Sequence, residues 1–174
     1  EVHIVNSSTS PAIDINDVTG VGGVLTIVDA PPALQSYEIT VTKDGHSVEQ
    51  TYLPGDAANP NPTKPHITVA ANTISQGTFT IDHLSSFDIV TQSSLCAPIG
   101  SIAGTLAGTK LIGTSPDILK HVLSFATSAG GLDTLPSIEW DTYTLALSGN
   151  TYDVVGTDPI APLVVPPEDR KSVV

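Results

Sequence analysis

Short stretches in which hydrophobic and polar residues alternate recur along the whole chain. They are clearest in residues 36–41, 78–82 and 142–147, where hydrophobic residues stand at every second position: Tyr37, Ile39 and Val41, then Phe79 and Ile81, then Tyr143, Leu145 and Leu147. Because successive side chains of a β-strand point to opposite faces, this period of two predicts strands that each bury one face. We therefore expect an all-β protein.

Glycine and proline residues separate these strands. The pairs Gly22-Gly23 and Gly130-Gly131 stand between alternating stretches and predict hairpin turns, because glycine adopts positive φ readily. Residues 54–65 carry prolines at alternate positions around Asn61, which predicts an extended and stiff loop. Residues 116–125 are the one stretch compatible with a short helix, and we expect instead an irregular loop that leads into a strand.

The chain contains the same sequence pattern twice. Three anchors recur in the same order, offset by 105, 108 and 106 residues: Thr9-Ser10-Pro11 with Thr114-Ser115-Pro116, Thr19–Gly23 with Thr127–Gly131, and Ser36–Val41 with Thr142–Leu147. Self-similarity at a nearly fixed period is the signature of a repeated structural module. The repeat predicts a first β-sandwich module in residues 1–92 and a second in residues 93–174.

The repeat also leads to an expectation about the edge of the first module. Aligned on it, Val2–Val5 corresponds to Thr109–Ile112, which leaves the strand Ser101–Leu106 without a counterpart. The hairpin of residues 67–71 and 78–81 corresponds to residues 163–165 and 172–174. Open sheet edges are usually paired or covered. We expect a strand from a neighbouring subunit or from upstream sequence beside Val2–Val5; the alternative is that the chain ends were cut.

The repeated segments resemble a known family. A turn of the kind Thr-x-x-Gly-Gly, a short strand and then Tyr-x-hydrophobic-x-hydrophobic, as in Thr19–Gly45 and Thr127–Gly149, is similar to carboxypeptidase regulatory-like domains. The phrase Glu139–Tyr143, followed by Tyr152-Asp153 and Asp158-Pro159, is similar to tandem modules of bacterial prepilin-type surface proteins. The resemblance implies two tandem, Greek-key-like β-sandwiches of the transthyretin-like type. The family has no catalytic residues, so it implies no catalytic site.

Charge and composition exclude several partners. The formal net charge is −12 and Arg170 is the only arginine, so the chain lacks the basic surface that nucleic acids and anionic membranes attract. No apolar stretch reaches the 18 residues of a membrane-spanning helix. The chain contains no Met, which predicts a mature or trimmed product. Together with the single Cys, this composition favours an extracellular protein at a bacterial cell surface.

Candidate nucleophiles and bases do not form a catalytic pattern. Asp82-His83 with Ser85 suggests a hydrolase, but neighbouring side chains of a strand point apart, and no Gly-x-Ser-x-Gly motif is present. The other histidines, His3, His46, His66 and His121, have no metal-ligand spacing. Cys96 is expected to be a small buried residue. We expect no catalytic residue, no cofactor and no metal.

Three further features have a plain structural explanation beside a functional one. Asp14, Asn16 and Asp17 offer oxygen ligands for a hard cation, although an incomplete motif favours a solvated turn. Lys110 and Glu139 match two members of the lysine, asparagine and acid set that cross-links some surface sandwiches, with a third required among Lys171–Val174. Asn6-Ser7-Ser8 matches the glycosylation sequon, but a bare turn is the simpler interpretation.

These observations favour a structural role. We expect a non-catalytic module of a bacterial surface filament, pilus or stalk, whose partners are copies of itself or other surface subunits. One alternative is an adhesive module for a protein or glycan receptor. Aromatic residues are 5% of the chain and Trp140 is the only tryptophan, which disfavours a glycan because sugars stack on aromatic rings. The other alternative is an accessory domain of a longer secreted protein.

Overall fold

The computed structural model describes residues 1–149 and 151–167. The described residues form strands and contain no helix. In chain order the strands are β1 (Val2–Asn6), β2 (Ile13–Asp17), β3 (Ala33–Val41), β4 (Glu49–Gln50), β5 (Ile67–Val69), β6 (Ser85–Val90), β7 (Ala103–Gly108), β8 (Leu111–Gly113), β9 (Ile118–Leu119), β10 (Val122–Ala126), β11 (Leu132–Ile138), β12 (Asp141–Leu147) and β13 (Leu163–Val165). The predicted all-β class is confirmed, and residues 116–125 hold strands β9 and β10 rather than a helix.

The chain divides into two compact units. The first comprises residues 1–81 together with 111–118, and the second comprises residues 82–110 together with 119–174. These units do not coincide with the predicted modules 1–92 and 93–174, whose boundary remains a prediction. Residues 111–118 belong to the first unit although they stand within the sequence of the second.

The first unit is built on an antiparallel sheet in the order β2-β1-β3-β4, with β5 also paired to β3. Ile4 on the central strand β1 lies opposite Ile15 of β2 and Ile39 of β3. Val2, Ile4 and Tyr37 are buried, because the alternating pattern turns these side chains to one face of the sheet. Residues 111–118 join this unit through the loop of residues 54–65, because the Thr63 amide donates to the Ile112 carbonyl at 2.9 Å. This loop is not extended as predicted, since the Gly55 amide donates back to the Pro60 carbonyl at 3.0 Å.

The second unit has two sheets. One has the order β10-β7-β12-β13, and the other pairs β11 with β6. Their side chains meet in one core, formed by Phe87 and Ile138 from the two-stranded sheet and Leu106, Tyr143, Leu163 and Val165 from the four-stranded sheet. Two antiparallel sheets that bury their inner faces against each other make a β-sandwich.

The two units repeat the same strand pairing in the same register. In the second unit, Leu106 of β7 lies opposite Leu123 of β10 and Leu145 of β12, as Ile4 lies opposite Ile15 and Ile39 in the first. Tyr143 pairs with Leu163 as Tyr37 pairs with Ile67. The predicted equivalence of Tyr37 and Tyr143 therefore agrees with the strand register, and both rings are buried.

Three details of the sequence interpretation are wrong. Residues 78–82, predicted as a strand that pairs with residues 67–71, form no strand in the structure. β1 corresponds to β7, so Val2–Val5 matches Gly104–Ala107 rather than Thr109–Ile112. The predicted shift arose because the connection between β7 and β10 is longer than that between β1 and β2, and it contains residues 111–118. The predicted open edge beside Val2–Val5 is wrong as well, since β1 is paired on both sides. Residues 172–174 lie outside the described residues.

The predicted glycine hairpins are also corrected. Gly130-Gly131 connects β10 to β11, and these strands belong to different sheets. The turn is closed locally, by the Gly131 amide donating to the Ser128 carbonyl and the Ser128 amide donating to the Leu132 carbonyl, both at 2.9 Å. The glycine pair therefore lets the chain pass from one sheet of the sandwich to the other, rather than turning back on its own strand.

Candidate functional site

A group of charged side chains lies where three connections of the second unit converge. Lys110 follows β7, Lys120 and His121 precede β10, and Glu139 and Asp141 stand at the junction of β11 and β12. We call these five residues the charge cluster. Backbone pairing brings the first two connections together, because the Lys120 amide donates to the Lys110 carbonyl at 2.8 Å and the Gly108 amide donates to the His121 carbonyl at 2.9 Å.

Glu139 is the centre of the charge cluster and is only 3% exposed. Its Oε1 accepts hydrogen bonds from Lys110 Nζ at 3.1 Å and Lys120 Nζ at 2.9 Å. Its Oε2 lies 2.5 Å from His121 Nε2. A buried carboxylate is costly unless its charge is compensated and its oxygens are hydrogen-bonded, and here both conditions hold.

Asp141 is a second buried carboxylate, held mainly by hydrogen bonds. Its Oδ1 accepts from Thr109 Oγ1 and from the Thr142 amide, both at 2.7 Å, and its Oδ2 accepts from the Lys110 amide at 3.0 Å. Asp141 therefore fixes the backbone that carries Lys110, while Glu139 binds the Lys110 side chain. The two acids together tie the end of β7 to the start of β12.

Aromatic side chains border the charge cluster. Lys110 Nζ lies 3.0 Å from the centroid of the Trp140 ring, a cation–π contact. The Trp140 Nε1 is buried and has no hydrogen-bond partner among the described residues. The fully buried Tyr143 hydroxyl donates to the Glu139 carbonyl at 2.8 Å. Since Lys110 covers one face of the indole, that face is not available to stack on a sugar.

The surroundings set the charge of each acid. Burial on its own would raise the pKa of the Glu139 carboxyl, but hydrogen bonds from His121, Lys120 and Lys110 lower this pKa to about 2. Burial would likewise raise the pKa of Asp141, which the Lys110 amide and the Thr109 hydroxyl keep below its usual value. Both groups are therefore carboxylates at neutral pH.

The same surroundings act on the groups beside them. Burial lowers the pKa of the Lys110 ammonium, while its hydrogen bond to Glu139 opposes this shift. Burial and the nearby Asp141 and Glu139 charges raise the pKa of the Tyr143 hydroxyl. Lys110 and Glu139 therefore form an ion pair, with Nζ 3.1 Å from Oε1.

The structure unites two residues that the sequence singled out, Lys110 and Glu139, and adds partners that the sequence analysis missed. Lys120, His121, Asp141 and Thr109 had no recognisable motif spacing. The signal available in the sequence was charge scarcity: the chain has six Lys and Arg residues, and two of them flank the segment 111–118. The third residue required for a cross-link, among Lys171–Val174, lies outside the described residues.

A second polar group is buried in the first unit. The Thr51 hydroxyl is 2.9 Å from His66 Nδ1 and accepts a hydrogen bond from the Ile39 amide at 2.9 Å. Burial lowers the pKa of His66, with the Glu38 charge opposing the shift, so the neutral imidazole is favoured. Thr51 is itself buried, and the pair holds the segment after β4 against β3.

The other candidates from the sequence take structural places. Asp82 Oδ1 accepts the His83 amide at 2.7 Å, and Ser85 is buried at the start of β6. Asp14, Asn16 and Asp17 lie on strand β2 rather than in the expected turn, with Asp14 bound to His3 at 2.9 Å. Within the described part of the chain, no group of three or more His, Cys, Asp and Glu side chains is placed to bind a metal.

Cys96 differs from its expected environment, whereas Asn6 leads into the turn that was the simpler interpretation of its motif. Cys96 is exposed, not buried, because it lies in a tight turn closed by hydrogen bonds between Ser93 and Ala97. Asn6 is buried at the end of β1, and its Oδ1 accepts hydrogen bonds from the Ser8 amide and hydroxyl at 2.9 and 2.7 Å. A side chain held in this way is not presented for glycosylation.

Comparisons with known proteins do not identify the chain. No protein-family model matches it, and neither the curated proteins nor the solved structures contain a match. Among the described residues, no helix has the length and apolar character needed to cross a bilayer.

Proposed function

We propose that this protein is a non-catalytic structural module of a bacterial surface filament, pilus or stalk. The observation that supports the proposal is the internal repeat: β1, β2, β3 and β5 pair in the register of β7, β10, β12 and β13. Repeated β-sandwiches are a common way to build extended surface structures, because each copy adds length without a new fold. The proposal includes the tandem transthyretin-like type and an extracellular location.

The charge cluster supports the same function. Its acids are fully engaged by Lys110, Lys120, His121 and Thr109, so they tie strands together and are not poised to transfer a proton. Catalytic acids and bases have pKa values close to the working pH, whereas the pKa of Glu139 is about 2. We infer that the cluster stabilises the second unit, and that the protein catalyses no reaction.

Electron microscopy of the purified protein tests the proposed function. We expect fibres or helical assemblies at high protein concentration, with a repeat that accommodates both units. A population that remains as dispersed monomers under all conditions would contradict the structural role and favour a receptor-binding one. Loss of a measured turnover on His83→Ala or Cys96→Ala substitution would contradict the absence of catalysis.

A further inference from the structure

The first unit contains a counterpart of strand β11 that is not paired. From Ile15 to Val24 the chain follows Leu123 to Leu132 at a constant offset of 108 residues. The turn hydrogen bonds are the same: the Gly23 amide donates to the Gly20 carbonyl at 2.9 Å, and the Gly20 amide donates to the Val24 carbonyl at 3.0 Å. Residues 24–28 therefore occupy the place that β11 takes in the second unit.

In the second unit, β11 is covered along one edge by β6. Leu132, Asp133, Thr134 and Leu135 lie opposite Val90, Ile89, Asp88 and Phe87. Phe87 is buried in the core, and Ile89 packs against it. The strand β6 thus contributes an aromatic and an aliphatic side chain, two positions apart, to the sandwich interior.

In the first unit, residues 24–28 have no strand beside them among the described residues. Leu25 and Ile27 pack against the core, whereas Val24 and Val28 are 68% and 76% exposed. Leu132, the counterpart of Val24, is 48% exposed where β6 lies beside it. Val18, Val21 and Leu34 add exposed hydrophobic surface near this segment of the sequence.

The core of the first unit is correspondingly thin. It has three buried hydrophobic residues, Val2, Ile4 and Tyr37, whereas the described part of the second unit has eight. The glycine turn shows the same gap. A Cβ atom added at Gly131 would lie 3.1 Å from the Ile99 carbonyl oxygen, in the connection that follows β6, whereas a Cβ added at Gly23 meets nothing within 4 Å. Space is open where the second unit places β6 and its connection.

We propose that residues 24–28 of the first unit form a docking edge for a β-strand supplied by a neighbouring protein subunit. The incoming strand runs antiparallel and has the chemistry of β6: an aromatic residue, one polar residue and an aliphatic residue, with the two apolar side chains entering the core. Backbone hydrogen bonds to an open edge supply affinity, and the alternating side chains set the register. The choice of a neighbouring subunit rests on the proposed assembly function.

One segment of the chain is a competing occupant. Phe79 and Ile81 have the same spacing as Phe87 and Ile89. Lys64 holds this segment, since its Nζ lies 4.8 Å from the centroid of the Phe79 ring and donates to the Thr78 carbonyl at 3.2 Å. In the structure, residues 78–81 form no strand with residues 24–28. The test must therefore separate this internal segment from an external strand.

A synthetic peptide with the sequence of residues 83–92 serves as the incoming strand. We expect it to bind the 174-residue protein and to slow backbone amide hydrogen exchange at residues 24–28 by about tenfold or more. The matched control is the same peptide with serine in place of Phe87 and Ile89, which should give no protection. Amides of β7 and β12 should be unaffected by either peptide.

A substitution in the protein tests whether the peptide binds at residues 24–28. Thr26→Pro removes a backbone donor and places a ring at the edge, so peptide binding should be lost, whereas Thr26→Ala should retain it. Unchanged protection of the Tyr37 amide shows that the variant is folded. Equal protection by both peptides, or no protection by either, overturns the proposal. So does slow exchange at residues 24–28 without peptide that Phe79→Ala abolishes, because the internal segment then occupies the edge.

The outcomes for the docking edge and for the proposed function are distinguishable. Peptide binding at residues 24–28 in a protein that never forms fibres would retain the edge and reject the filament role. Fibres in which the amides of residues 24–28 still exchange rapidly would retain the filament role and reject this edge.

Discussion

Two tyrosine hydroxyls occupy equivalent positions and make equivalent hydrogen bonds. Tyr37 donates to the Pro31 carbonyl at 2.6 Å, and Tyr143 donates to the Glu139 carbonyl at 2.8 Å. In each unit the bond ties the strand that carries the tyrosine, β3 or β12, to the segment that precedes it. Each ring fills the core while its hydroxyl satisfies a backbone group, so the same residue meets two requirements at once.

Substitutions at these tyrosines should separate the contribution of the ring to the core from that of the hydroxyl hydrogen bond. We expect Tyr37→Phe and Tyr143→Phe to lower the free energy of unfolding by about 1 kcal/mol each, the usual contribution of one hydrogen bond. Tyr143→Ala should cost about 3–5 kcal/mol, as large-to-small changes in a core do. Urea denaturation measures these differences. Phenylalanine variants as stable as the parent protein would show that the hydroxyl bonds contribute nothing.

The contribution of the Glu139 carboxylate should appear in the pH dependence of the free energy of unfolding. Because the folded state lowers its pKa from 4.5 to about 2, the carboxylate stabilises the fold above pH 4.5, and this contribution is lost as the pH falls towards 2. A shift of this size corresponds to about 3 kcal/mol of stability. We expect Glu139→Gln to be less stable than the parent protein at pH 7, with the gap closing between pH 4.5 and 2.

Chemical denaturation at several pH values measures this gap. The matched control is Glu38→Gln, which removes the same charge from an exposed position on β3. Its effect should be within a few tenths of a kcal/mol at every pH, as for most surface substitutions. A Glu139→Gln gap that stays constant down to pH 2 would mean that the lost carboxylate charge is not its cause.

At the scale of the elements, the two glycine turns differ in their surroundings: the turn at Gly131 is packed against other backbone, and the turn at Gly23 is not. Gly23 and Gly131 have φ values of 71° and 75°, so alanine carries a similar backbone cost of about 1 kcal/mol at either position. Only Gly131 is also crowded, by the Thr91 and Ile99 backbone. We expect Gly131→Ala to be clearly more destabilising than Gly23→Ala, as measured by thermal or urea unfolding. Equal effects would mean that the surroundings of the two turns are alike.

The alternation around Tyr37 and Tyr143 predicted strands β3 and β12 correctly, because a half-buried sheet imposes a period of two on its residues. The sequence also showed the repeat, although it aligned β1 with the wrong residues of the second copy. No local sequence pattern indicates that residues 111–118 belong to the first unit although they stand within the sequence of the second. The long connection shifted the alignment of Val2–Val5 by several residues and turned a central strand into a supposed edge.

The charge cluster was only half predictable. Lys110 and Glu139 were singled out as the lysine and the acid of a possible lysine–asparagine cross-link, but the sequence spacing contains nothing about Lys120 or His121. These two residues reach Glu139 only after β7 and β10 pair. Burial, which converts these contacts into a low Glu139 pKa, is a property of the packed sandwich. Sequence patterns identify which face of a strand is buried. They do not show which connections between strands meet in space, because that depends on the topology of the sheets.

At the scale of the whole molecule, excess negative charge opposes assembly. The net charge is −12, and of six Lys and Arg residues two, Lys110 and Lys120, are bound to Glu139 inside the second unit. Few cations remain to compensate the surface acids. Copies of such a protein repel one another at low ionic strength, although this repulsion does not prevent a contact made through backbone hydrogen bonds and apolar side chains.

Added salt should therefore strengthen association between copies. The screening length falls from about 30 Å at 0.01 M salt to about 8 Å at 0.15 M, so repulsion between surfaces is largely removed while short-range contacts persist. We expect sedimentation velocity to show larger species as NaCl is raised over this range. Thr26→Pro, which blocks the docking edge, should abolish this increase and Thr26→Ala should retain it. Association that weakens on adding salt would mean that opposite charges, rather than strand pairing and apolar burial, hold the copies together.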